Sequence, residues 1–239
     1  MQPRNHDRRR FYSVGSDLRL NPSDFEFVNK AQALVPSTVP GAYVLAGNHE
    51  YAIEGLGAPL RFGLPTLRAK PALVVGVDNE ELLDIYGFRK PFVSLRAKNL
   101  LVEIDPDAFE FAECAAVDGD GGPVEPYWMM DVVRVVDRFD EERSNVLWHS
   151  DLYPGVEEAA DNPFLTRLDD VRFPTVREDE HAFYLLRYQT GFIFDETIVD
   201  AWRQAGLKGA LFTPLQAPTP EENADAGLFE IRPYWSERE

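Results

Sequence analysis

A single cysteine, Cys114, leaves no partner for an intramolecular disulfide, so the fold must be held without covalent staples. Its surroundings, Phe111-Ala112-Glu113-Cys114-Ala115-Ala116-Val117, read as a buried apolar position rather than a reactive thiol. Histidine is almost as scarce. Four in all are too few for a histidine-rich metal centre with paired ligands. No apolar run is long enough to span a bilayer, and the basic N-terminus has no apolar segment after it. Those two absences predict a cytoplasmic chain. Positive charge is short as well: 24 Lys and Arg face 41 Asp and Glu, a formal net charge of −17. Phosphate repels such a chain, so nucleic acid and anionic membrane are excluded as expected partners. There is no internal repeat and no phosphate-binding glycine loop.

What is present is material for a core. The 44% hydrophobic share includes 16 Phe, 9 Tyr and 4 Trp, enough for one sizeable domain at this length. The pattern predicts a disordered basic lead over 1–10, then a single domain over 11–235. Residues 118–126, rich in Asp and Gly, are the expected internal boundary. Strands are predicted over Phe11–Leu20 (broken at Gly15-Ser16), Pro71–Val77, Phe92–Leu95, Leu100–Ile104, Phe109–Val117 and Trp128–Val136. Further strands are expected at Phe183–Tyr188 and Phe192–Phe194, with a last one beginning at Leu211-Phe212. Val146–His149 is expected to pair with the Trp128–Val136 strand. Helices are predicted from Ser23 to Leu34 and from Asp78, with Glu81 in capping-box position, to Gly87. The clearest helix follows Asp195: Ile198, Ala201, Trp202 and Ala205 recur at helical spacing, and Gly206 supplies the left-handed stop. The fold class is α+β, with α/β as the alternative: a mixed sheet and a few short helices.

Several motifs point to chemistry. Gly47-Asn48-His49-Glu50 looks like a metallophosphoesterase metal loop, but the companion Asp-x-His and Gly-His-x-His pairs are missing. A turn is the simpler reading, and no metal is expected. Asp118-x-Asp120-Gly121 suggests a calcium loop, yet Pro123 and Met129 stand where that loop needs Gly and Glu. Trp128-Met129-Met130 reads as core. Asp137, Asp140, Glu141 and Glu142 follow the long apolar strand, with Trp148, His149 and Asp151 close behind. Carboxylates beside a histidine fit general acid–base work, a solvated turn, or a docking surface for a basic protein. Glu178-Asp179-Glu180 is a second acidic run.

The segment Val132-Val133-Arg134-Val135-Val136-Asp137-Arg138-Phe139-Asp140-Glu141-Glu142-Arg143-Ser144 resembles a hallmark of the eleventh numbered immunity-protein family of bacterial polymorphic toxin systems. That hallmark is a strand ending in Val-Asp, then an Asp, then a Ser. Ala205-Gly206-Leu207-Lys208-Gly209-Ala210-Leu211-Phe212-Thr213-Pro214 is similar to the family's Ala-Gly-Leu-x-Gly-x-x-Phe-x-Pro segment. Leu82–Leu95 resembles its helix followed by a strand. The resemblance runs from about Pro59 to Leu215, strongest at its two ends, with 127–215 as the family-like C-terminal half. It implies no enzyme activity, no catalytic residues and no cofactor, but a stoichiometric inhibitor of a cognate toxin. The acidity points to a basic toxin. Asp137, Asp140, Glu141, Glu142, Trp148, His149 and Asp151 are the expected partner-binding residues. A metal- or carboxylate-dependent hydrolase and a non-catalytic ligand-binding protein are the alternatives.

Overall fold

The computed structural model describes residues 9–20, 24–33, 64, 67–77, 81–87, 91–136, 139–152, 165–185, 188 and 191–216. Within them the chain builds two mixed sheets and a two-stranded ribbon, with short helices, an α+β fold. The strands of the first part are β1 (Phe11–Ser16), β2 (Phe25–Phe27), β3 (Ala72–Val75), β4 (Ile85–Tyr86), β5 (Phe92–Val93), β6 (Phe109–Asp118) and β7 (Tyr127–Val132). Then come β8 (Val135–Val136), β9 (Asn145–Trp148), β10 (Leu165–Asp170), β11 (Ala182–Leu185), β12 (Ile193–Asp195) and β13 (Ala210–Pro214). The helices are α1 (Lys30–Ala33), α2 (Leu95–Ile104), α3 (His149–Leu152) and α4 (Glu196–Gln204).

The six-stranded sheet has the order β2-β3-β6-β7-β5-β4; only β3 and β6 run parallel. The five-stranded sheet has the order β13-β1-β12-β11-β8. The first strand of the chain therefore lies between two of the last. One core draws on both sheets and both longer helices: Val14, Val93, Leu101, Met130, Phe194 and Trp202 all belong to it. Period-two alternation sends Phe11, Phe183, Leu185 and Ile193 to the opposite face of the five-stranded sheet, where β10 contributes Leu165 and Leu168.

Local sequence explains the best-defined elements. Asp195 accepts hydrogen bonds from Thr197 N at 3.1 Å and Ile198 N at 3.3 Å, which caps α4. Ile198, Val199 and Trp202 are buried. Gly206 ends the helix at φ +64°. Gly209, at φ +100°, is needed for a second reason: a Cβ there would sit 2.5 Å from Ile85 O. That close approach lets the α4–β13 connection dock on the six-stranded sheet, where Asp84 closes the joint. Its carboxylate accepts from Lys208 N at 2.9 Å and Ser94 Oγ at 2.6 Å.

Several predicted elements are corrected. Phe25–Phe27 is a strand, not the start of a helix, because Phe25 packs tilted and Phe27 edge-on against Phe92; among the described residues of this stretch helix is confined to Lys30–Ala33. Ser23 and Leu34 lie outside the described residues. Residues 81–84 bend and Ile85-Tyr86 is strand, because Asp84 is taken by Ser94 and Lys208 rather than by a helical turn. Asp78 lies outside the described residues. Leu100–Ile104 is the second half of α2, whose start is capped by Ser94 accepting from Ala97 N at 3.2 Å. The apolar run from 128 breaks at Val133-Arg134, where Val133 N donates to Ala108 O. β9 pairs antiparallel with β10, not with β7, and His149 begins α3. Arg9, within the expected basic lead of 1–10, bonds Asp195 through its guanidinium; residues 1–8 lie outside the described residues.

Cys114 is fully buried, and burial pushes its thiol from 9.0 up to about 11. A thiol so placed holds little thiolate at pH 8. The native protein should resist a thiol-reactive dye at that pH, and the urea-unfolded chain should react at once. Rapid native labelling would contradict the burial. Trp202 is 2% exposed, and its indole Nε1 has no hydrogen-bond partner among the described residues. Trp202→Ala should cost about 3–5 kcal/mol and lower the melting temperature sharply. Trp202→Phe keeps most of the buried surface and discards the unpaired donor, so it should melt closer to the parent. Equal losses in the two variants, read by thermal denaturation, would contradict this account.

Candidate acidic docking site

The acidic turn begins where β8 ends. Asp137 lies outside the described residues; Asp140, Glu141, Glu142, Trp148 and Asp151 are described. The turn is a single 3-10 turn over Glu141–Arg143. Asp140 caps it by accepting from Arg143 N at 3.2 Å. Two bonds fasten it to the segment after β10. Asp140 N donates to Arg172 O at 2.9 Å, and Arg172 N donates to Ser144 Oγ at 3.0 Å. The backbone N–H of Asp140 and the hydroxyl of Ser144 thus take the C=O and the N–H of one residue, Arg172. Beneath the turn, Phe139 tilts against Trp148 at 6.3 Å, and both pack on the core below the five-stranded sheet.

This arrangement divides the expected partner-binding residues. Glu141 and Glu142 are exposed, and neither carboxylate is paired among the described residues. Asp140 is engaged as a cap, and Asp151 accepts from Trp148 N at 3.0 Å. Trp148 is half-buried and rests on the core. His149 opens α3; its side chain lies outside the described residues. The chemistry available at the turn is electrostatic: two fixed, solvated carboxylates on a clamped loop. Ser144 and Arg172 complete the clamp, and of these the sequence signalled only Ser144.

The second acidic run stands differently. Asp179 pairs with Arg177 at 3.0 Å, and the interaction holds its carboxyl below the usual range. Glu180 lies 3.7 Å from Arg134 and accepts from Arg177 N. Below this run is a set of buried ions. Asp105, 2% exposed, takes both terminal nitrogens of Arg134, at 2.5 and 2.9 Å, and the His181 backbone N–H at 2.7 Å. Asp195 binds Arg9 Nε at 2.9 Å and His181 Nδ1 at 2.8 Å. His181 beside a carboxylate has the form of a catalytic pair, but its ring touches Arg9 and Asp195 and no hydroxyl or thiol among the described residues. Asp195 is already spent on the helix cap and on Arg9. The group ties Arg9, the start of β11 and the first turn of α4 together.

Among the described residues no cluster of three His, Cys, Asp or Glu is placed to hold a metal. Gly47–Glu50 lies outside them. Asp118 folds onto its own turn, accepting from Asp120 N and Gly122 N at 3.0 and 2.7 Å. No helix among the described residues is long and apolar enough to cross a membrane.

No curated protein matches the chain. The model of the Immunity protein family (Imm11) matches residues 12–217. That span includes residues 12–58, which the resemblance from about 59 to 215 left out. The fold supplies the reason: β1, which starts at Phe11, is the inner strand between β12 and β13, so the C-terminal motifs cannot form their sheet without it. With most of its length inside the match, this chain belongs to the Imm11 immunity protein family.

Proposed function

We propose that this protein neutralises a cognate toxin by binding it stoichiometrically in the cytoplasm, without catalysis, and that the toxin is basic. The observation that carries the reading is the family match over residues 12–217. The net charge of −17 supports a basic partner. An inhibitor of this kind needs a stiff scaffold and a complementary field. Opposite charge raises the association rate more than it tightens the complex.

The clamped turn is suited to that task. Glu141 and Glu142 are exposed, unpaired among the described residues, and held by Asp140 and Ser144 on Arg172. Asp137, Trp148, His149 and Asp151 complete the proposed contact region around them. Exposed charges contribute little to stability, so Glu141→Lys with Glu142→Lys should fold like the parent. With the toxin domain encoded beside the gene, stopped-flow mixing should show the double variant associating about tenfold or more slowly at low salt. The difference should shrink as salt rises, since the screening length falls from about 10 Å at 0.1 M to about 3 Å at 1 M. Equal association rates at low salt would remove the turn from the encounter. No complex between the parent and that toxin at micromolar concentration would overturn the inhibitor reading.

A further inference from the structure

The two faces of the six-stranded sheet are treated unequally. One is sealed: Leu73, Val75, Cys114, Tyr127 and Met129 are buried on it. On the other face, α2 and its core cover the β5–β7 end, where Val93, Met130 and Val132 are buried. At the β2–β3–β6 end that face carries Ala72, Val74, Ala115 and Val117. None of the four belongs to an apolar core. The register sets them in rows: Glu26, Val74 and Val117 stand abreast, and Ala72 stands opposite Ala115. Val28 extends the second row, its N–H donating to Ala72 O at 3.0 Å. Val28 is 55% exposed and Ala115 is exposed, while Ala72, Val74 and Val117 are half-buried.

An open sheet face normally alternates to polar residues, and parallel strands normally have both faces covered. β3 and β6 are parallel, yet where they pair this side carries Ala and Val rather than polar residues, and no apolar core covers it among the described residues. Glu26 on β2 stands in the first row and Asp120 lies at the hairpin end, while Glu113, beside Ala115 on β6, is paired with Lys70. A second copy of this chain is a poor occupant, because two bodies of −17 repel. An apolar patch beside Glu26 on a protein of net charge −17 fits a basic one. We propose that the β2–β3–β6 face is the seat of the basic toxin domain, its Val and Ala rows forming the dehydrated centre of the interface. This rests on the inhibitor reading above. It assigns the face to residence of the complex, whereas the clamped turn acts on encounter.

The test uses Val28→Arg and Ala115→Arg, both at exposed positions where the free fold should tolerate them. Each puts a bulky cation into the proposed seat. Binding of the neighbouring toxin domain is followed by surface plasmon resonance, with thermal denaturation of the free proteins alongside. The expected result is dissociation faster by about tenfold or more in each variant, since interface changes act mainly on that rate. Melting temperatures should match the parent. If the parent binds the toxin and both variants dissociate at the parental rate, the face is not the seat, while the inhibitor reading stands. A large drop in the melting temperature of free Ala115→Arg would show the face filled by the chain's own residues and would overturn the proposal. So would sedimentation showing a parental dimer that the variants disperse. A parent that does not bind the toxin at all overturns both readings together.

Discussion

Three buried carboxylates hold this fold in register, and each is committed to partners far away in the chain. Asp195 is 1% exposed, Asp105 2% and Asp84 7%. A carboxylate removed from water is costly unless every oxygen is answered. Asp195 answers the first turn of α4, Arg9 and His181. Asp105 answers Arg134 and the start of β11. Asp84 answers Ser94 and the loop after α4. Together they tie the N-terminal strand, the β7–β8 break and the α4–β13 connection to one another. Removing one partner from such a group leaves an unpaired buried charge, so this geometry is strongly specified. The order it imposes lets a surface loop such as 139–144 present its charges from a fixed position.

The family motifs gain a physical meaning here. In the first, the Asp140 carboxylate caps the turn by accepting from Arg143 N, and the Ser144 hydroxyl accepts from Arg172 N. In the second, Gly206 stops α4, Gly209 passes under Ile85 O, and Phe212 packs against Trp202 at 6.1 Å. These are structural roles. Glu141 and Glu142, on the turn that the first motif sets, stay exposed.

How much was legible in the linear chain follows from how local the cause was. Asp195 through Gly206 was readable because cap, apolar spacing and stop all lie within twelve residues. β3 and β6 were readable as apolar runs with strong β-formers. The helix expected from Asp78 was not, because Asp84 spends its carboxylate on residues 10 and 124 positions away. Phe25 and Phe27 match a helical face as well as a strand, and only Phe92 decides. The pairing of β9 with β10 spans a long insertion that carries no register signal. At the candidate site, exposure of Glu141 and Glu142 was readable from charge density. The capping duties of Asp140 and Asp151 depend on backbone positions that composition does not reveal. The Ala and Val rows were invisible in advance because they arise only when β3 and β6, some forty residues apart, lie parallel.

The account stands on inhibition by occupancy rather than by turnover. The direct measurement is a titration of toxin activity with this protein at toxin concentrations well above the dissociation constant. Occupancy predicts that activity falls linearly and reaches zero at one equivalent, with the toxin recovered chemically unchanged. Complete loss of activity at a small fraction of an equivalent, growing with incubation time, would show that the protein acts catalytically and would contradict the account.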